Sequence, residues 1–178
     1  MRCLTLADGL HEQGNECHFI CRAHNGNMLD HILSREHLVH VLPECQSNVC
    51  YDTDLVHASW LGVDWLTDAQ QTAQVLGGKE SDWLIVDHYA LDYRWELALR
   101  SYTKRIMVID DLADRGHDCD LILNQNYGSS AELYAGLVPN ECKQLHGSEF
   151  ALLKPTYSQH RSKQVVRSAK VERVLIYF

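Results

Sequence analysis

Two stretches, Trp83-Leu84-Ile85-Val86-Asp87-His88-Tyr89 and Arg105-Ile106-Met107-Val108-Ile109-Asp110-Asp111, share one build: an apolar run, then polar side chains. Each run has strand length and no polar alternation, which marks a strand covered on both faces. A third copy follows at Leu121-Ile122-Leu123, ahead of Asn124-Gln125-Asn126. Between the first two, Tyr93 to Tyr102 is helical by composition. Working outward, Asp68 is expected to cap a helix through Ala69, Ala73, Val75 and Leu76 that stops at Gly77-Gly78. Toward the N-terminus, Leu4, Leu6, Ala7 and Leu10 give Arg2–Gln13 a helical period, and Gly14 ends it. Short strands are expected at Cys17–Cys21 and Leu38–Leu42, the latter stopped by Pro43. A short helix over Met28–Ser34 separates them, after the turn Asn25-Gly26-Asn27. Residues 44–62 read as a loop. Ser129-Ser130 is expected to cap a short helix toward Leu137, closed by Pro139. Strands alternating with helices predict an α/β fold with a mostly parallel sheet.

The composition allows such a core. Of 178 residues, 46% are apolar and 22% charged, close to soluble globular averages. Sixteen Lys and Arg against 24 Asp and Glu give a net charge of −8. That balance lacks the basic footprint of a nucleic-acid binder, and no apolar run approaches the ~20 residues that span a bilayer. The first residues, Met-Arg-Cys-Leu-Thr-Leu-Ala-Asp, do not form a secretory leader. Seven irregularly spaced cysteines are not a disulfide framework, so a cytoplasmic location is expected. Cys17, Cys21 and Cys119 border apolar runs and read as small buried residues. Cys17 and Cys21 would share one strand face, but no second pair at ligand spacing completes a zinc site.

Ligands of parallel α/β sheets bind beyond the carboxyl ends of the strands. That rule selects Asp87-His88-Tyr89, Asp110-Asp111 and Asn124-Gln125-Asn126. A carboxylate can orient an imidazole, and a phenol can donate to developing negative charge. Asp110-Asp111 can hold a divalent cation or cap the following turn. The same side chains can equally serve as helix caps and turn residues. Asn126-Tyr127-Gly128-Ser129-Ser130 reads as a capped loop rather than a phosphate cradle. Glycine-rich nucleotide motifs and a nucleophile elbow are missing from the sequence.

Several of these segments carry a resemblance. Met1–Ala7, Trp60–Asp64, Val86–Asp92 (Val-Asp-His-Tyr-Ala-Leu-Asp) and Ile109–Arg115 (Ile-Asp-Asp-Leu-Ala-Asp-Arg) resemble the UDP-sugar hydrolases of pseudaminic acid biosynthesis. So do His117–Leu123, Asn124-Gln125-Asn126 and Leu137-Val138-Pro139, collinearly along the chain. The resemblance implies a Rossmann-like domain, the N-terminal half of a glycosyltransferase-B-like arrangement, with the active site in the cleft between two domains. It implies hydrolysis of a UDP-linked diacetamido-trideoxy-altrose at the anomeric centre, without a metal or other cofactor. The product feeds nonulosonic acid synthesis for flagellin or surface glycans.

By the same resemblance, Tyr89 lines the active site in a substrate-orienting or proton-donating role. His88 is the candidate to stand in for a family histidine whose Gly-x-Gly-His loop would precede Met1. Arg2, Asp87, Asn124 and Asn126 are the implied substrate-binding residues. The expected organisation is an incomplete N-terminal domain over 1–155, then a linker and the first strand, Val174–Phe178, of a second domain over 156–178. The chain alone is then expected to be inactive. Two other readings compete: a glycosyltransferase or N-acetyltransferase of the same pathway, and a catalytically dead domain. The UDP-sugar is the one partner implied, with no nucleic acid and no membrane insertion, and oligomeric state is left open.

Overall fold

The computed structural model describes residues 1–44, 55–78, 80–161 and 174. Its elements run α1 (Arg2–Glu12), β1 (His18–Arg22), α2 (Leu29–Leu33), β2 (Leu38–Leu42), α3 (Trp65–Leu76) and β3 (Leu84–Val86). They continue with α4 (Tyr93–Leu99), β4 (Ile106–Ile109), β5 (Leu121–Asn124), β6 (Lys143–His146) and α5 (Pro155–Arg161). Among the described residues every strand pairing is parallel. The strands form a two-stranded sheet, β1-β2, and a four-stranded sheet, β3-β4-β5-β6. The fold is therefore α/β with parallel sheets, consistent with a Rossmann-like architecture.

The core lies on the four-stranded sheet. Leu99, Ile106, Val108, Ile122 and Tyr134 are almost fully buried there, with Trp95 and Val86 beside them. Pairing Val86 with Val108 and Ile109 with Leu123 aligns the three apolar runs. Parallel pairing then sends Asp87, Asp110 and Asn124 to one end of neighbouring strands. This is the rim that the sequence selects, and it is built because each run stops where its polar residues begin.

Several boundaries differ from expectation, each for a physical reason. Helix α3 is capped by Asp64, not Asp68. Asp64 has extended backbone, and its carboxylate accepts from Thr67 N at 2.9 Å and Thr67 Oγ1 at 2.5 Å. Asp68 lies one turn inside and is buried, taking Arg22 at 2.6 Å and Trp95 Nε1 at 2.9 Å. The helix end at Gly77 agrees with the sequence, in the left-handed conformation at φ 57°. Strand β1 begins at His18, so Cys17 falls outside it. The stretch after Ser130 forms one 3₁₀ turn, Ala131–Tyr134, and Ser130 makes no side-chain cap bond. Strand β6 was not expected, because Lys143-Gln144-Leu145-His146 is too polar to stand out from a loop. Pairing with β5 makes it a strand. Helix α5 occupies the start of the stretch read as a linker. Residues 45–54 of the expected loop lie outside the described residues, as do 162–173 and 175–178, where the linker's remainder and most of the terminal strand fall.

Candidate functional site

The rim is organised around one arginine. Arg2 opens α1 and reaches the turn after β3, where its Nε lies 3.1 Å from both Asp87 oxygens and its Nη2 2.7 Å from Oδ1. Its Nη1 donates to Asp111 Oδ2 at 3.2 Å, and Tyr89 Oη donates to Asp111 Oδ1 at 2.7 Å. Segments far apart in sequence thus meet in one network: Asp87, Arg2, Asp111, Tyr89. Burial alone would lower the Arg2 pKa, but bonds and charge from Asp87 and Asp111 raise it, so the cation is permanent. Cys3 Sγ donates to Asp87 at 3.2 Å, and burial together with Asp87 pushes its thiol up to about 12.

The Tyr89 phenol is held protonated. Its hydrogen bond to Asp111 raises its pKa, burial adds to this, and Arg2 opposes it. With its one proton donated to Asp111 and its oxygen also within reach of Arg2, the hydroxyl has only acceptor capacity left for a ligand. That geometry suits orienting a ligand hydroxyl or N–H more than donating a proton. Arg2 likewise spends its fork on two carboxylates, so the cluster offers chiefly acceptors.

The other expected residues sit differently. His88 turns inward: its Nδ1 accepts from Ala90 N at 3.1 Å, and burial lowers its pKa, keeping the ring neutral. Asn124 is buried, donating Nδ2 to Tyr134 Oη at 3.0 Å while its Oδ1 accepts from Asn126 N at 3.1 Å. Its amide therefore orders the turn after β5. Asn126 is exposed at that turn. Arg2, Asp87 and Tyr89 are brought together; among the described residues no direct bond joins His88, Asn124 or Asn126 to them.

Asp111, which the sequence offers only as half of an Asp110-Asp111 pair, stands at the centre of the network. The two neighbours have opposite jobs. Asp111 faces the rim, whereas Asp110 is fully buried with Arg115 at 2.9 Å, Ala113 N at 2.9 Å and Tyr134 Oη at 2.9 Å. Burial would raise the Asp110 pKa; Arg115, the Ala113 N–H, His117 and Tyr134 outweigh it and hold it low. Glu96 and His117 form a second buried pair, with Nδ1 2.7 Å from Oε1. Glu96 and Arg115 had no signal in the sequence, because a charged residue reads as solvated until its partner is known.

Over 77 residues the chain is 35% identical to the UDP-2,4-diacetamido-2,4,6-trideoxy-beta-L-altropyranose hydrolase of Campylobacter jejuni. That stretch is 43% of this chain and 28% of the Campylobacter protein, well under two thirds of the relative's length. No family model matches the chain.

Proposed function

We propose that this chain carries part of the active site of a nucleotide-sugar hydrolase, acting on a UDP-linked diacetamido-trideoxy-altrose. The observation that carries the reading is the Asp87–Arg2–Asp111–Tyr89 network at the carboxyl rim of the parallel sheet. The partial similarity to the Campylobacter hydrolase supports the reaction class. In the reaction, water adds to the anomeric carbon, the bond from that carbon to the diphosphate oxygen breaks, and the electron pair leaves with UDP. Water's proton passes to an acceptor.

The network suits the sugar end of such a substrate. Asp87, Asp111 and the Tyr89 lone pairs accept from hydroxyl and amide N–H groups, and Arg2 holds both carboxylates at fixed separation. Pre-setting acceptors in this way orients a bound sugar without reorganisation at the moment of reaction.

Titration calorimetry with the UDP-linked altropyranose, run beside a UDP-release assay, tests the reading. Saturable binding is expected, weakened about tenfold by Tyr89→Phe, the size of one lost hydrogen bond in a desolvated site. Absence of both binding and release, or binding indifferent to Tyr89→Phe and Asp111→Asn, overturns it.

A further inference from the structure

Beside the polar network stands an aromatic group that it does not use. A 3₁₀ turn, Ala58–Leu61, buries Ala58 and Leu61 while leaving Trp60 56% exposed. The Trp60 ring lies 6.0 Å from Tyr89 and 4.5 Å from His57, and His57 lies 5.7 Å from Tyr89, centroid to centroid. Three rings thus gather at the edge of the Arg2–Asp111 cluster. The turn carrying Trp60 packs against the His24 ring at its end. Gly62 follows it at φ 78°, and a Cβ there would clash with the His24 ring. A large indole left half in water, next to a row of acceptors, has the make-up of a binding surface.

We propose that Trp60, flanked by His57, is the stacking wall for the pyranose ring of the ligand, its apolar C–H face against the indole and its polar edge toward Asp87, Asp111 and Tyr89. This deepens the hydrolase reading and rests on it. Charge complementarity decides the occupant. Two carboxylates repel a diphosphate, and Arg2 is already shared between them. A uracil ring has one N–H donor to offer, whereas an acetamido sugar brings several hydroxyl and amide donors along the edge of an apolar face. The cluster of acceptors matches the sugar.

The experiment follows the indole N–H of Trp60 by NMR in the full chain, assigned from a Trp60→Phe variant. It is titrated separately with free 2,4-diacetamido-2,4,6-trideoxy-altrose and with UDP. The sugar is expected to shift the Trp60 signal and UDP alone to leave it in place. Trp60→Ala is expected to weaken sugar binding about tenfold, the value of one aromatic contact, and Trp60→Phe to keep most of it. Both substitutions sit at an exposed ring, and circular dichroism verifies the fold of each.

Sugar binding that depends on Tyr89 but is equal in wild type and Trp60→Ala overturns the wall and spares the hydrolase reading. A Trp60 signal moved by UDP and not by sugar overturns the wall in favour of a nucleobase platform. No sugar binding at all, with wild type and variants alike, overturns the hydrolase reading and the wall with it.

Discussion

Strands β1 and β5 read alike in the sequence, as short apolar runs between polar turns, yet they lead different lives. In β5, Ile122, Leu123 and Asn124 are buried, and in the adjacent β4 so are Ile106, Val108 and Ile109. In β1 only Arg22 is buried, and in β2 only Leu42. Each pair is parallel and in register. The difference is cover: β4 and β5 sit inside a four-stranded sheet under α3 and α4, while β1-β2 is a sheet of two. Parallel pairing aligns backbones, but burial of both faces is what turns an apolar run into stabilisation.

The charges follow cover rather than sheet: Arg22 of β1, paired with Asp68 of α3, is 4% exposed, while pairs outside such cover stay wet. Asp110–Arg115 has side chains 0% and 4% exposed, whereas Asp8–Arg35, beside β2, is 20% and 40% exposed. The sharpest way to break the comparison is to delete one cation from each. Arg115→Leu strands a buried carboxylate and is expected to cost about 3–5 kcal/mol in urea unfolding. Arg35→Leu is expected to cost less than about 1 kcal/mol. Equal costs would mean that the two regions are equally buried in solution.

Truncating an apolar side chain comes next in size. Ile122→Ala removes a fully buried side chain and should cost about 3–4 kcal/mol. Ile20→Ala, at a half-buried position of β1, should cost less than half of that. The same urea series reads both, and a larger loss at Ile20 would place the core on the wrong sheet.

Acid sharpens the contrast further. The folded pKa of His88 lies below its unfolded value near 6.5, because burial disfavours the cation. Its contribution is present above pH 6.5 and is lost as pH falls through the folded pKa. The folded pKa of Asp110 lies below 3.8, so its contribution is present above that value and is lost as pH drops further. Stability measured from pH 7 down to 3 should therefore decline in two stages. His88→Gln removes the first and Asp110→Asn flattens the second. A profile unchanged by both substitutions would show that neither group is held as described.

The smallest effect belongs to the two-stranded side. Glu36, in the turn before β2, is exposed and holds φ 64°, where a side chain is disfavoured. Glu36→Gly relieves that strain at some cost in unfolded-chain entropy, and a gain of about 0.5 kcal/mol in the melting analysis is expected. A loss of stability would mean that the turn depends on the Glu36 side chain.

What was legible in the sequence had a local cause. The apolar runs at 84–86, 106–109 and 121–123 announce buried strands by themselves, and Gly77 ends a helix through its own backbone freedom. The rim with Asp87, Asp110 and Asn124 follows once those strands are taken as parallel. Strand β6 was hidden because its residues are polar, and its only claim to be a strand is the partner beside it. Asp64 was hidden behind Asp68, four residues on, with the same side chain and an equal local claim to the cap.

The sequence alone thus determined the α/β class, the end of α3 at Gly77 and the rim that carries the polar residues, because periodicity and glycine act over a few neighbours. Tertiary structure decided the partners. Arg2 and Asp87 are 85 positions apart and Arg2 and Asp111 are 109 apart, yet they share one network. Adjacent Asp110 and Asp111 went to opposite environments, one into the core and one to the rim. No local pattern encodes that division. A carboxylate's role is set by which cation the fold brings to it and by whether water still reaches it, and both are properties of the packed chain.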